Sequence, residues 1–321
     1  MRSEGIELPS GEEMSEEGYK YLGVLQSESM MNGEMKKKVK EEYLRRVKLL
    51  AKSRLYARNL IEGINVWAIG VVRYSAGILD WTDGDLKAMD IRTRKLLTMN
   101  GVFNRKSGVG RLYLKRKDGG RGLVSVRDCV ESEKRSLSDY VSRSDEWMLK
   151  VVEENRLVSE VESKQDFERR VESERKDGME NKPVHGRFFR NVKGKASTRS
   201  YDWLKCGYLG KATESYICAA QEEVLETRSR KSRIYGEEVD PKCRLCGEWE
   251  ETVSHLASGC GKLAGTQYVI RHDNMGRRVH WELCKKYDVR CGERWYEHEP
   301  ESVVESRNGE VEIYWNIPRC T

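Results

Sequence analysis

The sequence has few prolines and no long apolar run. It contains 5 Pro among 321 residues, and its longest apolar stretch extends only from Val66 to Val72. A membrane-spanning helix needs about 20 such residues, so no transmembrane segment is predicted. The first 18 residues are acidic and lack the hydrophobic segment of a signal peptide. We therefore expect an intracellular protein, nuclear or cytoplasmic, whose nine cysteines are thiols or metal ligands rather than disulfides.

Sequence motifs for catalysis are also missing. A polymerase palm needs paired aspartates to hold two metal ions, and no Asp-Asp pair occurs. A restriction-type nuclease needs a Pro-Asp pair, which is absent as well. No P-loop, dinucleotide-binding fingerprint or G-x-S-x-G motif is present. The chain by itself therefore gives no reason to assign a catalytic residue.

Charged residues, in contrast, are abundant. They make up 35% of the chain, with a net charge of +6. Glu, Lys and Arg with little proline favour helix, and this length suits two or three domains. The predicted fold class is therefore mainly α and multi-domain. The basic excess is interspersed with acidic residues, so on its own it indicates a polyanionic partner only weakly.

The pattern from residue 35 to about 97 predicts three helices with one apolar face each. We expect the third to begin at Asp83 or Asp85. Aromatic residues at helical spacing usually lie in a core, so we expect Trp67, Tyr74 and Trp81 inside a helix bundle. Before these helices, "YKYLGVLQ" predicts one short strand around Gly23. The apolar positions of the first two helices are Val39, Tyr43, Val47 and Leu50, then Leu60, Ile64, Trp67, Val71 and Tyr74.

The segment "KRKDGGRG", residues 115–122, predicts a loop because its glycines allow positive φ. Two interpretations are open. Its basic residues could contact phosphate, or the segment could be an ordinary surface turn. The candidate phosphate contacts are Lys115, Arg116, Lys117 and Arg121.

Residues 142–180 carry few apolar side chains and predict a solvated helix or linker. Residues 182–233 are basic, with aromatic residues between the cations. That combination suits single-stranded nucleic acid, because cations meet phosphates and rings stack on bases. The alternative is that the rings are core and the cations are merely solvated. The candidate contacts here are Arg187, Arg190, Lys193 and Lys195.

The sharpest local pattern is C-x2-C-x8-H-x4-C, formed by Cys243, Cys246, His255 and Cys260. Two cysteines with two residues between them can direct both thiolates at one ion. Three thiolates and one imidazole fill a tetrahedral zinc shell and leave no position for water. The sequence therefore predicts one structural Zn²⁺. The remaining cysteines have no such spacing and are predicted to be small buried side chains.

Several segments together carry a family resemblance. In order they are "YKYLGVLQ", "INVWAIGVVRYSAGILDWT", "DIRTRKLL", "RLYLKRKDGGRGLVSVRDCV", "ICAAQEEVL", the Cys/His segment, "RHDNMGRRVHWELCKKY" and "RWYEHEPESVVE". The chain resembles the C-terminal part of the reverse transcriptase polyprotein of non-LTR, LINE-like retrotransposons with a restriction-like endonuclease. The resemblance covers nearly the whole chain and is weakest over 142–180.

The resemblance implies a role for each region. Tyr21, Leu22 and Gly23 would help to grip the primer, the following helices would form the thumb, and the basic linker and a CCHC zinc knuckle would bind nucleic acid. The implied partners are element RNA and target DNA, with no membrane. The implied division is 1–34 palm end, 35–141 helical thumb, 142–235 helical linker, 236–265 zinc knuckle and 266–321 a truncated α/β endonuclease start.

In this family the palm aspartates precede the point where this sequence begins, and the endonuclease Pro-Asp follows the point where it ends. We therefore expect a fragment that retains zinc-dependent nucleic-acid binding without either catalytic centre. The alternatives are a piece of a longer active reverse transcriptase and endonuclease, or a helical interaction protein without enzymatic activity.

Overall fold

The computed structural model describes residues 19–21, 24–26, 32–154, 162–193, 198–206 and 208–315. It is mainly helical, as predicted, with two short antiparallel hairpins, β1–β2 and β3–β4. The helices α1 to α14 are Asn32–Lys52, Ala57–Gly63, Ile69–Ser75, Asp83–Met99, Val109–Tyr113, Val126–Arg143, Trp147–Glu154, Lys164–Glu180, Arg187–Val192, Asp202–Cys206, Lys211–Gln221, Arg228–Tyr235, Gly261–Leu263 and Val269–Lys286. The strands β1 to β4 are Tyr19–Tyr21, Val24–Gln26, Val303–Glu305 and Glu312–Tyr314.

The chain forms two compact units, which meet in sequence at Val224 and Leu225. This boundary falls inside the predicted 142–235 linker. Within the first unit, α8 packs against α6 and α5. Phe167 and Met179 of α8 are buried, so this helix is part of the folded unit rather than a solvated connection.

The core of the first unit lies between α1, the α2–α3 segment, α4 and α6. Every fourth residue of α1 is buried, from Met35 through Val39, Tyr43 and Val47 to Ala51, which confirms the predicted apolar face. The Tyr43 hydroxyl lies 2.9 Å from the hydroxyl of Thr93 on α4. The contact gives the Tyr43 hydroxyl, the one hydroxyl among these five buried residues of α1, a hydrogen-bond partner inside the core.

The prediction that Trp67, Tyr74 and Trp81 lie in the core was partly wrong. Trp81 is buried, but Trp67 and Tyr74 are 41% and 58% exposed. A π-helical turn at Ile64–Ala68 interrupts the α-helical repeat between α2 and α3. Leu60 and Ile64 are buried as predicted, but the wider π-helical turn then rotates the face, so Ala68, Ile69 and Val72 enter the core in place of Trp67 and Tyr74.

The N-terminal strand was also predicted in part. Tyr19–Tyr21 and Val24–Gln26 pair with each other antiparallel, Tyr21 opposite Val24, so the segment is a hairpin rather than one strand. The third helix, α4, begins where it was expected. The Thr82 hydroxyl accepts the Asp85 backbone N–H at 3.1 Å, and the Asp85 carboxylate accepts from Thr82 in return.

The second unit contains α12, an irregular Cys/His segment, the α13–α14 helical run and the β3–β4 hairpin. In α14 the only buried side chains are His280 and Cys284. Among the described helices of both units, none is long and apolar enough to cross a membrane.

Candidate metal centre

The four predicted ligands converge on one point. Cys243 and Cys246 lie on a turn after Pro241, His255 begins a π-helical turn, and Cys260 immediately follows it. Their ligand atoms all lie within 4.8 Å of one another. Cys243 and Cys260 are completely buried, whereas the other two are half-buried. The group could therefore hold one metal ion.

The spacing of the atoms fits a tetrahedral ion with these donors. With bonds of about 2.3 Å to sulfur and about 2.0 Å to nitrogen, sulfur atoms lie about 3.8 Å apart, and sulfur and nitrogen about 3.5 Å. The Sγ atoms of Cys243 and Cys260 are 4.0 Å apart. Cys246 Sγ and His255 Nε2 are 3.4 Å apart. Little movement is needed to bring all four atoms to bonding distance.

The turn that carries the first two cysteines is fixed by its backbone. Gly247 donates its N–H to the carbonyl of Cys243 at 2.8 Å and has φ of 71°, a conformation that favours glycine. The N–H groups of Trp249 and Glu248 donate to the thiol of Cys246 and lower its pKa to about 6. The thiolate is the form that binds a metal, so this turn prepares a ligand.

The other two ligands are held together by Tyr268. Its hydroxyl accepts the N–H of Cys260 at 3.0 Å and lies 3.1 Å and 3.2 Å from the carbonyl oxygens of His255 and Leu256. One side chain thus ties the His255 turn to Cys260. A bond of this kind fixes the orientation of the ligands before an ion binds.

An ion pair between the exposed Arg244 and the buried Glu251 lies on the cysteine turn, and Glu251 also joins that turn to the preceding basic helix, α12. The Glu251 carboxylate, 1% exposed, accepts from the Arg244 side chain at 2.6 Å and 2.8 Å and from the Arg228 N–H at 3.0 Å. The Arg244 side chain, followed by the backbone N–H groups of Arg228 and Arg244, lowers the pKa of Glu251 to about 2. Neither Tyr268 nor this pair was predicted, because their partners are not spaced like any ligand motif.

The predicted phosphate contacts at 115–121 divide into two groups. Arg121 is 1% exposed and pairs with Glu214, so the prediction that it contacts phosphate is wrong. Arg116, 13% exposed, is bound to the same carboxylate at 2.9 Å. Lys115 and Lys117 are exposed, and both pair with Glu172. Only these two lysines remain available on this loop.

The second predicted group is also held by neighbouring residues. Arg190 donates to the carbonyl oxygens of Lys182 and Pro183 at 2.9 Å and 3.0 Å, beyond the end of α8. Lys193 pairs with Glu180 at 2.5 Å. Arg187, 66% exposed and 3.9 Å from Glu223, is the least constrained of the group.

The remaining predicted nucleic-acid contacts lie in or beside segments outside the described residues. Tyr21 is in β1, whereas Leu22, Gly23 and Lys195 lie outside the described residues.

The aromatic residues between these cations mostly belong to the core. Phe189 packs with Leu114 and Met179, and Phe188 and Tyr201 lie against that cluster. Tyr208, in contrast, is 80% exposed. Of the other cysteines, Cys129, Cys218 and Cys284 are buried as predicted, and Cys291 is half-buried.

No family model matches the chain, and no curated protein matches it. What the residues establish is a cluster of four side chains that could hold one metal ion. The identity of the ion is inferred from the chemistry of these four residues.

Proposed function

We propose that the chain is a zinc-dependent nucleic-acid-binding fragment of a non-LTR retrotransposon reverse transcriptase polyprotein. The observation that carries the proposal is the convergence of Cys243, Cys246, His255 and Cys260 within 4.8 Å. Three thiolates and one imidazole match Zn²⁺ better than the oxygen-preferring Mg²⁺ or Ca²⁺. A closed four-ligand shell suits a structural ion, which would organise the surrounding backbone.

The charge distribution supports a polyanionic partner. Residues 225–321 contain 16 of the 59 Lys and Arg and 17 of the 53 Asp and Glu, so the net charge of +6 comes from the first 224 residues. Helix α1 has eight basic and three acidic residues. Its exposed side includes Lys37, Lys48 and Lys52, opposite the buried stripe. A basic helical face of this kind attracts phosphates regardless of base sequence.

Retrotransposon ancestry is inferred from the order of the resembling segments, and the partners it implies are element RNA and target DNA. The metal cluster belongs to the segment for which the resemblance implies a zinc knuckle, and α1 to the segment for which it implies the thumb. On this proposal the chain binds RNA and single-stranded DNA and contains neither catalytic centre of the parent enzyme.

The experiment is a salt titration of binding by the full chain. Fluorescence anisotropy with short single-stranded RNA and DNA should give affinities that fall steadily between 50 and 200 mM salt, on the order of 0.7 in log–log slope for each phosphate contact. Replacing Lys37, Lys48 and Lys52 with Ala should reduce that slope. Replacing Lys285 and Lys286, exposed cations of α14 in the second unit, is the matched control and should not.

The dependence of binding on the metal ion is tested with two cysteine variants. Cys260→Ala should remove the ion and lower affinity, whereas Cys129→Ala, a buried cysteine of the first unit, should change neither. Binding that is absent at low salt, or that does not respond to salt, contradicts the proposal and favours the helical interaction protein. Binding that survives loss of the ion unchanged contradicts its zinc dependence.

A further inference from the structure

A second group of metal-binding side chains lies at the centre of the C-terminal region. Nδ1 of His280 is 2.7 Å from Nε2 of His298 and 3.4 Å from Sγ of Cys284. These three atoms lie within 4.8 Å of one another. The three residues are 3%, 5% and 0% exposed. This cluster was not predicted, because its histidines are 18 residues apart and match no familiar ligand spacing.

The position of this cluster in the fold is unusual for structural residues. From Gly261 to Trp315, the buried residues are His280, Cys284, His298, Ser306 and Ile313. A folded region normally buries aliphatic side chains at its centre, and a small one without them usually requires a disulfide or a metal. Between Gly261 and Trp315, Ile313 is the one buried aliphatic side chain, and imidazoles and a thiol take the place of others. The centre of the region therefore has the composition of a metal site rather than a core.

The local structure brings the ligands together without long-range adjustment. His280 and Cys284 lie four residues apart and so share one face of α14. The segment after the helix folds back, because the Trp281 ring donates to the Gly292 carbonyl at 2.8 Å. The Gly292 N–H in turn donates to Nδ1 of His298 at 3.5 Å. The Trp315 ring, after β4, packs edge-on against His280.

We propose that His280, Cys284 and His298 bind a second zinc ion, which links α14 to the segment that follows it. Two imidazoles and one thiolate are ligands that Zn²⁺ accepts, with bonds of about 2.0 Å and 2.3 Å. In a tetrahedral shell the two ring nitrogens would be about 3.3 Å apart, so they separate by about 0.6 Å when the ion enters. The nitrogen–sulfur distance of 3.4 Å already fits.

The protonation states are compatible with this role. Burial lowers the pKa of both His280 and His298, which favours the neutral imidazoles that bind a metal. Burial raises the pKa of the Cys284 thiol, so the ion displaces that proton on binding. One tetrahedral position is left over. Cys291, which lies between Cys284 and His298 beside Gly292, is the thiol best placed in sequence to fill it.

The decisive measurement is the number of zinc ions per full-length chain, by elemental analysis after dialysis against buffer without free metal. Wild type should contain two. Cys284→Ala and His298→Ala should each contain one, and Cys260→Ala should also contain one. The double variant Cys260→Ala, Cys284→Ala should contain none. Cys218→Ala, a buried cysteine outside both clusters, should keep two.

A ligand exchange separates loss of the ion from loss of the fold. His298→Cys replaces one zinc ligand with another and should keep two ions, whereas His298→Ala should not. One ion in wild type, lost in Cys260→Ala and kept in Cys284→Ala, would overturn the proposal and leave a hydrogen bond between two imidazoles. That outcome does not affect the first metal centre, since Cys260→Ala reports on it separately.

Discussion

Nε of Arg121 lies 2.6 Å from Oε1 of Glu214, and both side chains are at least 98% buried. Arg116 pairs with the same carboxylate at 2.9 Å. One acidic residue of α11 therefore neutralises two arginines of the 115–122 loop. A buried charge that loses its partner keeps its desolvation cost, so this pair holds the loop to α11 strongly even if its formation contributes little net stability.

We expect Glu214→Ala to lower the free energy of unfolding of the first unit by about 3–5 kcal/mol, because it leaves Arg121 buried without a counter-charge. Glu172→Ala is the matched control. Glu172 also contacts two cations of this loop, but both of those lysines are largely exposed. It should therefore cost at most about 1 kcal/mol. Urea denaturation followed by circular dichroism measures both, and equal losses would show that burial does not decide the effect.

Asp85 should give the first unit a measurable dependence on pH. Lys40, 2.5 Å away, and then the bonds from Thr82 hold the pKa of this carboxyl well below its ordinary value. The folded state thus favours the charged form, so the stabilisation is complete above the unfolded pKa and is lost as pH falls below it.

Asp85→Asn should therefore cost about 1–2 kcal/mol at pH 7, a typical value for a helix cap. The difference from wild type should hold at pH 5 and shrink only as the pH falls below the ordinary carboxyl pKa of about 4, because the unfolded carboxyl then takes up a proton while the folded one stays charged. Urea denaturation at a series of pH values tests this. A difference that stays constant across the series would mean that the cap acts without its charge.

The parts of the structure that could be predicted are those determined by neighbouring residues. The α1 stripe follows from a four-residue repeat, the start of α4 from Thr82 and Asp85, and the first metal cluster from ligands within one short segment. Trp67 was wrongly predicted to be buried because a π-helical turn changes which residues of the helix face the core. The residues "INVWA", which form this turn, carry no sequence signal for it. Arg121 was misplaced because its partner is Glu214, 93 residues further along the chain.

Tyr268 should control metal affinity without being a ligand. Tyr268→Phe removes the hydroxyl that joins Cys260 to the His255 turn but leaves all four ligands in place. Loss of such a supporting bond typically weakens metal binding by about 10–100-fold. Competition with a chromophoric chelator measures the change. Tyr296→Phe, which removes a hydroxyl bound to exposed Arg294, is the control and should leave the affinity unchanged. Equal affinities for Tyr268→Phe and wild type would exclude the supporting role.

Arg190 and Arg187 are three residues apart but should behave differently. Arg190 donates to backbone carbonyls, so Arg190→Ala should lower the free energy of unfolding by about 1 kcal/mol. Arg187 is largely exposed and only weakly paired, so Arg187→Ala should leave stability nearly unchanged. If the proposed nucleic-acid binding uses this region, Arg187→Ala should also reduce the salt slope. Anisotropy titrations and urea denaturation of both variants separate the two effects, and a matching loss of stability for both would contradict the assignment.

Replacing Gly120 with Ala tests whether the 115–122 loop can adopt only one backbone conformation, and Gly178→Ala is the control. A Cβ on Gly120 would lie 1.9 Å from the carbonyl oxygen of Leu114, a distance that only backbone movement can relieve. The loop is tied there by Gly120 N–H to the Lys115 carbonyl at 3.0 Å and Gly122 N–H to the Leu114 carbonyl at 2.9 Å. Movement would therefore break the bonds that position Arg121 beside Glu214.

We expect Gly120→Ala to lower the free energy of unfolding of the first unit by roughly 3 kcal/mol or more. A loss of this size is typical of a substitution that strains the backbone. Gly178→Ala is the control, because no atom lies within 4 Å of its added Cβ and it stands inside α8. Alanine there should stabilise the unit by about 0.5–1 kcal/mol through helix propensity. Thermal denaturation should move the two midpoints in opposite directions. A mild effect at Gly120 would show that the loop can adopt another path, and the rigid placement of Arg121 would then have to be abandoned.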